Sequence, residues 1–169
     1  EVKTMNEIQA VKTAKIEEVK KNSKKGFTLV ELVVVIAILA ILAAIAIPVV
    51  SSTIQSSQRS SALSNAQTLE LALKEAHAQI VAKDTSVYKD DKATVADVVK
   101  GKAITVPNTV DIGSTKYTLN WCKADSKCYY VDASNNNLDS SVSLKGKTFT
   151  ALDASSTATK SSTVMSLFN

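Results

Sequence analysis

From Leu32 to Val50 the chain runs for nineteen residues without one polar side chain. As a helix rising ~1.5 Å per residue, that run spans roughly 28 Å, about the thickness of a hydrocarbon core. It is therefore a membrane-spanning candidate, and the rest of the chain must be read around it. A carboxylate, Glu31, stands at its entrance; carried unpaired to the bilayer centre, such a charge costs something like 2.5–3.5 kcal/mol. Just upstream lies Lys24-Lys25-Gly26-Phe27, a basic pair followed by a small and then a large apolar residue. The order implies processing ahead of the apolar run. An ordinary secretory signal is cut behind its apolar region, which is then lost.

Three readings of the run follow from the residues. It is cut after Gly26; or it is a secretory signal cut after Ala44-Ile45-Ala46, which satisfies the small-x-small rule; or it is an uncleaved signal anchor. Against the second stand a long leader and a carboxylate at the start of the apolar region. The string Gly26-Phe27-Thr28-Leu29-Val30-Glu31 favours the first, because it resembles the class III signal of type IV pilins. That resemblance covers about residues 24–55, and beyond it extends only to architecture. It implies cleavage between Gly26 and Phe27 by a prepilin peptidase that also N-methylates Phe27. It also implies filament assembly through Phe27, Glu31 and Pro48, and a membrane-anchored precursor whose head lies outside.

Charge agrees with this division. Residues 1–26 hold seven Lys and four Glu, a net of +3, and the other 143 residues hold thirteen basic and twelve acidic side chains, a net of +1. The basicity of the chain is a leader property, as expected for a segment kept on the cytoplasmic side. No basic patch survives to indicate nucleic-acid binding by the head.

Cleavage would place an α-amine on Phe27, four residues before Glu31. Within one helix the two can interact; the resemblance implies that Glu31 instead meets the amine of a neighbouring subunit. Either pairing lowers the desolvation cost, but only the second turns it into a force that docks subunits in register. Pro48 has no N–H for the carbonyl of Ala44, which predicts a kink or local loosening of the helix. Methylation leaves the amine charged.

Residues 51–61 are serine-rich yet contain neither Gly nor Pro, so nothing stops the helix. Beyond them Ala62, Ala66, Leu69, Leu73, Ala76 and Ile80 recur at spacings of three and four, with Gln67, Glu70, Lys74 and Glu75 off the line. This predicts one long, kinked helix over residues 27–82, membrane-spanning to about 50 and amphipathic from 51, whose stripe needs a partner surface. His77 reads as a boundary residue.

Residues 83–169 read as a small β-rich head. A short helix is expected over Ala93–Lys100 with Gly101 as its stop, a short edge strand at Ile104–Val106 before Pro107, and a turn at Asp111–Ser114. Alternation in Lys116–Cys122 puts Tyr117, Leu119 and Trp121 on one face, and Cys128–Val131 completes a hairpin. Cys122 and Cys128 then flank a five-residue loop, close enough for a disulfide outside the cytoplasm. Trp121, Tyr129 and Tyr130 could stack on sugar rings if exposed, although core packing is the plainer reading. Val142, Leu144, Phe149 and Leu152 form a last strand or hairpin around Gly146. Residues 153–163, almost all Ser, Thr and Ala, read as a solvated loop or tail, and Val164–Phe168 as a segment that docks on the head.

No catalytic set, phosphate loop or metal-ligand spacing is present, and no cofactor is expected. The fold class is α+β, a long helix packed on a small antiparallel sheet. The expected function is a structural type IV pilus subunit that polymerises into an extracellular fimbrium for adhesion or motility. Its partners would be like subunits, the processing peptidase, an inner-membrane assembly platform, lipid before assembly, and surfaces or polysaccharide through the filament. The alternatives are a pseudopilin of a type II secretion or DNA-uptake system, and a filament-borne adhesin for insoluble polysaccharide or host glycan.

Overall fold

The computed structural model describes residues 26–84, 87, 88, 92–155 and 162–169. All but the last residue of the leader falls outside them. Contacts within the chain divide it into two units, one ending at Pro48 and one running from Val49 to Asn169.

In the first unit the chain enters helix α1, Leu29–Val81, after three non-helical residues. Every residue from 26 to 48 is exposed. This stretch is long and apolar enough to cross a membrane.

In the second unit α1 continues through the serine-rich stretch to Val81 without a break. Ala62, Ala66, Leu69, Leu73 and Ala76 of the expected stripe are buried, Ala72 joins them, and Ile80 is half-buried against the same core. The alternation of Ala with Leu lets the helix approach the sheet closely while the leucines fill the space between. Glu70 and Lys74 pair one turn apart at 2.7 Å on the flank.

Two residues past the end of α1, Lys83 adopts φ 55 while Asp84 N–H reaches the Gln79 carbonyl and Lys83 N–H that of Ile80. Helix α2, Val95–Gly101, starts from Thr94, whose hydroxyl receives Asp97 N–H while the Asp97 carboxylate receives Thr94 N–H. That capping box holds the Asp97 carboxyl below its ordinary range, the backbone bond from Thr94 contributing most. The helix terminates at Ala103 (φ 52), with Ile104 N–H on the Val99 carbonyl. Gly101 is its last residue, so the expected glycine stop is two positions too early. Lys102 pairs with Glu75 and ties α2 to α1.

The sheet has four strands: β1 (Thr109–Ile112), β2 (Thr115–Cys122), β3 (Lys127–Val131) and β4 (Phe149–Ala151). Strand β1 is not the expected Ile104–Val106 segment, which is irregular and precedes Pro107. Pairing starts only past the proline, and Asp111 lies in the strand. Ile112 pairs with Thr115 across the two-residue loop Gly113-Ser114, where Gly113 has the positive φ (61°) that a tight hairpin requires at that position. β2 pairs with β3 from Thr118↔Val131 to Cys122↔Lys127, and with β4 from Asn120↔Ala151 to Cys122↔Phe149. Since Thr118 meets both Thr109 and Val131, β1 and β4 lie end to end along one edge of β2, with β3 on the other.

One face of the sheet, with Leu119, Trp121, Cys128 and Tyr130, packs on the α1 stripe. The other, with Cys122, Tyr129 and Val131, is covered by Val142, Leu144 and Phe149, of which only Phe149 belongs to a strand. Helix α3, Val164–Phe168, closes the core, as expected of this segment. Val164 and Leu167 are buried, Trp121 Nε1–H donates to the Leu167 carbonyl at 2.8 Å, and Phe168 stacks on His77 at 4.1 Å. His77 is thus a half-buried packing residue.

Candidate processing and assembly site

The N-terminal site is built from local chemistry. Thr28 and Glu31 are three residues apart at the start of an apolar helix, the spacing of a capping box. Glu31 N–H donates to Thr28 Oγ1 at 3.2 Å. In return Glu31 Oε2 accepts Thr28 N–H at 2.9 Å and Thr28 Oγ1–H at 2.8 Å. The Thr28 carbonyl takes the first helical bond, from Leu32 N–H. Two amides at the helix start, of Thr28 and Glu31, are thereby satisfied, and loss of such a cap costs about 1 kcal/mol. The carboxylate also lies at the positive end of the helix.

The cap decides where the helix begins. Gly26, Phe27 and Thr28 are left as a non-helical, exposed lead-in, Phe27 being 83 % exposed. A side chain at Gly26 would meet no atom within 4 Å. Nothing in the described fold requires glycine there. From Phe27 to Gln58, Glu31 is the only charged residue. Thr28 is the capping residue of this site, and its signal in the sequence is the Thr-x-x-Glu spacing itself.

Pro48 lies inside α1 and cannot donate to the Ala44 carbonyl. Just beyond it the hydroxyls of Ser52 and Thr53 both donate to the Val49 carbonyl at 2.9 Å.

One expected feature of the head is corrected. Cys122 and Cys128 form no disulfide. The connecting loop has four residues, 123–126, because Lys127 already pairs with Cys122. Cys128 then lies opposite Trp121, and the two thiols point to opposite faces of the sheet. Burial pushes the Cys128 thiol well above its ordinary range. The aromatic trio packs inside the head, the plainer of its two sequence readings, and is not exposed for stacking on sugar rings. Trp121 and Tyr130 are at most 1 % exposed and Tyr129 is 7 % exposed, and the two faces of the sheet divide them. Their polar atoms are used internally: Tyr130 donates to the Pro107 carbonyl, and Tyr129 to Asp125 at 2.9 Å. Lys147 also donates to Asp125 and, as the larger influence with Tyr129 second, holds that carboxyl below its ordinary range. Among the described residues no group of three or more His, Cys, Asp or Glu side chains could hold a metal ion.

Compared with known families, residues 21–47 match the prokaryotic N-terminal methylation motif. No curated protein and no solved structure matches the chain. The motif is the class III signal of type IV pilins. With the α+β fold, the motif supports a type IV pilin-like or pseudopilin-type protein and suggests a structural subunit. The motif implies processing by a prepilin peptidase and assembly with other pilin subunits, and with the apolar helix it fits a membrane-anchored precursor.

Proposed function

We propose that the protein is a type IV pilus subunit that polymerises through residues 27–50 into an extracellular filament used for adhesion or motility. One observation carries the reading. A methylation motif leads directly into an apolar helix that the subunit leaves exposed on every side, with a single carboxylate at its start. Cleavage after Gly26 frees the Phe27 amine, which is methylated and stays cationic. In lipid the helix is solvated by acyl chains, and the desolvation cost of Glu31 falls when the amine of a neighbouring subunit reaches it. Adding a subunit therefore replaces lipid contacts with helix–helix packing and pairs a charge. An inner-membrane platform would drive the transfer.

The test has two parts. Mass spectrometry of the protein from cells should find methylated Phe27 as the N-terminus; Ile47 or an intact leader overturns the reading. Glu31→Gln should then lower incorporation into sheared filaments by an order of magnitude or more relative to the cleaved pool. Long surface filaments labelled by an antibody to the head favour the pilus over a short secretion or DNA-uptake fibre.

A further inference from the structure

The capping box engages only one of the two carboxylate oxygens of Glu31. Both bonds from Thr28, through its main-chain N–H and its hydroxyl, end on Oε2. Oε1 receives no hydrogen bond among the described residues. The one O–H donor of Thr28 is committed to Oε2, while its oxygen accepts Glu31 N–H. Two of the three bonds between these residues end on the Glu31 carboxylate and hold that side chain folded back toward the helix start. A carboxylate fixed in this way meets a second partner without again losing its rotamer freedom.

We propose that Thr28 is a positioning residue for subunit docking. It grips Glu31 by Oε2 and leaves Oε1 for the freed Phe27 amine of a second copy, so the intersubunit pair adds to the cap instead of displacing it. The inference rests on the filament-subunit reading above. The donor count fits: a singly methylated ammonium keeps two N–H groups, and one is enough for Oε1. A carboxylate has about four lone-pair sites, so holding Oε2 does not exhaust it. Charge assistance makes the added bond stronger than a neutral one.

A plain helix cap and a positioning residue differ in their response to substitution. Glycine caps a helix nearly as well as threonine but has no hydroxyl to hold the carboxylate, whereas serine keeps both functions. The full precursor, carrying each substitution, is expressed in cells with its peptidase and a tagged wild-type copy. Incorporation into sheared filaments is measured relative to cleaved, methylated subunit in the membrane. Thr28→Val and Thr28→Gly should each incorporate about fivefold less than wild type, the factor that loss of a cap-sized interaction gives, and Thr28→Ser within twofold of it. Thr28→Gly at the wild-type level would show a cap and nothing more, and overturns the proposal. So does a Thr28→Val precursor that stays uncleaved, because Thr28 would then serve the peptidase. If Glu31→Gln is excluded from filaments while Thr28→Val and Thr28→Gly enter normally, this inference alone falls. If Glu31→Gln enters normally, the docking pair itself is absent and the reading beneath it falls too.

Discussion

Residues 29–48 and 62–80 belong to one helix but place their apolar side chains in opposite ways. In the second stretch the apolar residues form one stripe, buried against the sheet, and the polar residues Gln67, Glu70, Lys74 and Glu75 keep to its flanks and outer side. In the first, Val, Ile, Leu and Ala occupy every turn, and all are exposed. Burial is worth roughly 25 cal/mol per Å² of apolar surface, so side chains left uncovered by the subunit are a demand on its surroundings. The second stretch is explained by the subunit's own fold. The first is explained only by something outside it, whether acyl chains or other helices.

Truncation should separate the two stretches most sharply. Leu73→Ala removes a fully buried side chain and should destabilise the head by 2–5 kcal/mol, typical of such cavities. Leu39→Ala should leave head stability unchanged. Urea unfolding of the detergent-solubilised chain, followed by fluorescence of its single tryptophan, Trp121, measures both. Equal losses would erase the distinction. A smaller effect of opposite sign is expected at Ala103, which ends α2 with a positive φ that glycine adopts freely. Ala103→Gly should stabilise by about 1 kcal/mol in the same assay. The smallest effect is none at all. Since the thiols lie on opposite faces, a reductant should not move the unfolding midpoint, and two thiols should titrate in the denatured, non-reduced chain. A reductant-sensitive midpoint would break the register described for β2 and β3.

That register shows what the sequence could and could not disclose. Long periodicities were legible: the stripe from Ala62 to Ala76, the alternation of Tyr117, Leu119 and Trp121, and the apolar run itself. Each repeats over several residues, so an error at one end changes little. Features that depend on a single residue were not. Counting the β2–β3 loop as five residues instead of four moves Cys128 to the wrong face and invites a disulfide, because a strand's period is two. The strand expected at Ile104–Val106 has suitable β-branched residues, but the sheet pairs with Thr109–Ile112, where cross-strand partners are available. At the N-terminus the motif was legible at once, yet it drew attention to Glu31 and away from Thr28. The Thr-x-x-Glu spacing of the cap is in the sequence too, and the hydrogen bonds show the cap formed.

Strand β2 touches all three of the others, and none of those pairs with another along the sheet. The sheet thus has a hub and no ring. Its two hairpins, each closing on near neighbours in the chain, can zip early, while β4 must cross some thirty residues to find its place beside Asn120. Disrupting any outer strand leaves two pairings intact, but disrupting the hub leaves none. A protease or a pulling force that reached β2 would therefore release the whole sheet in one step.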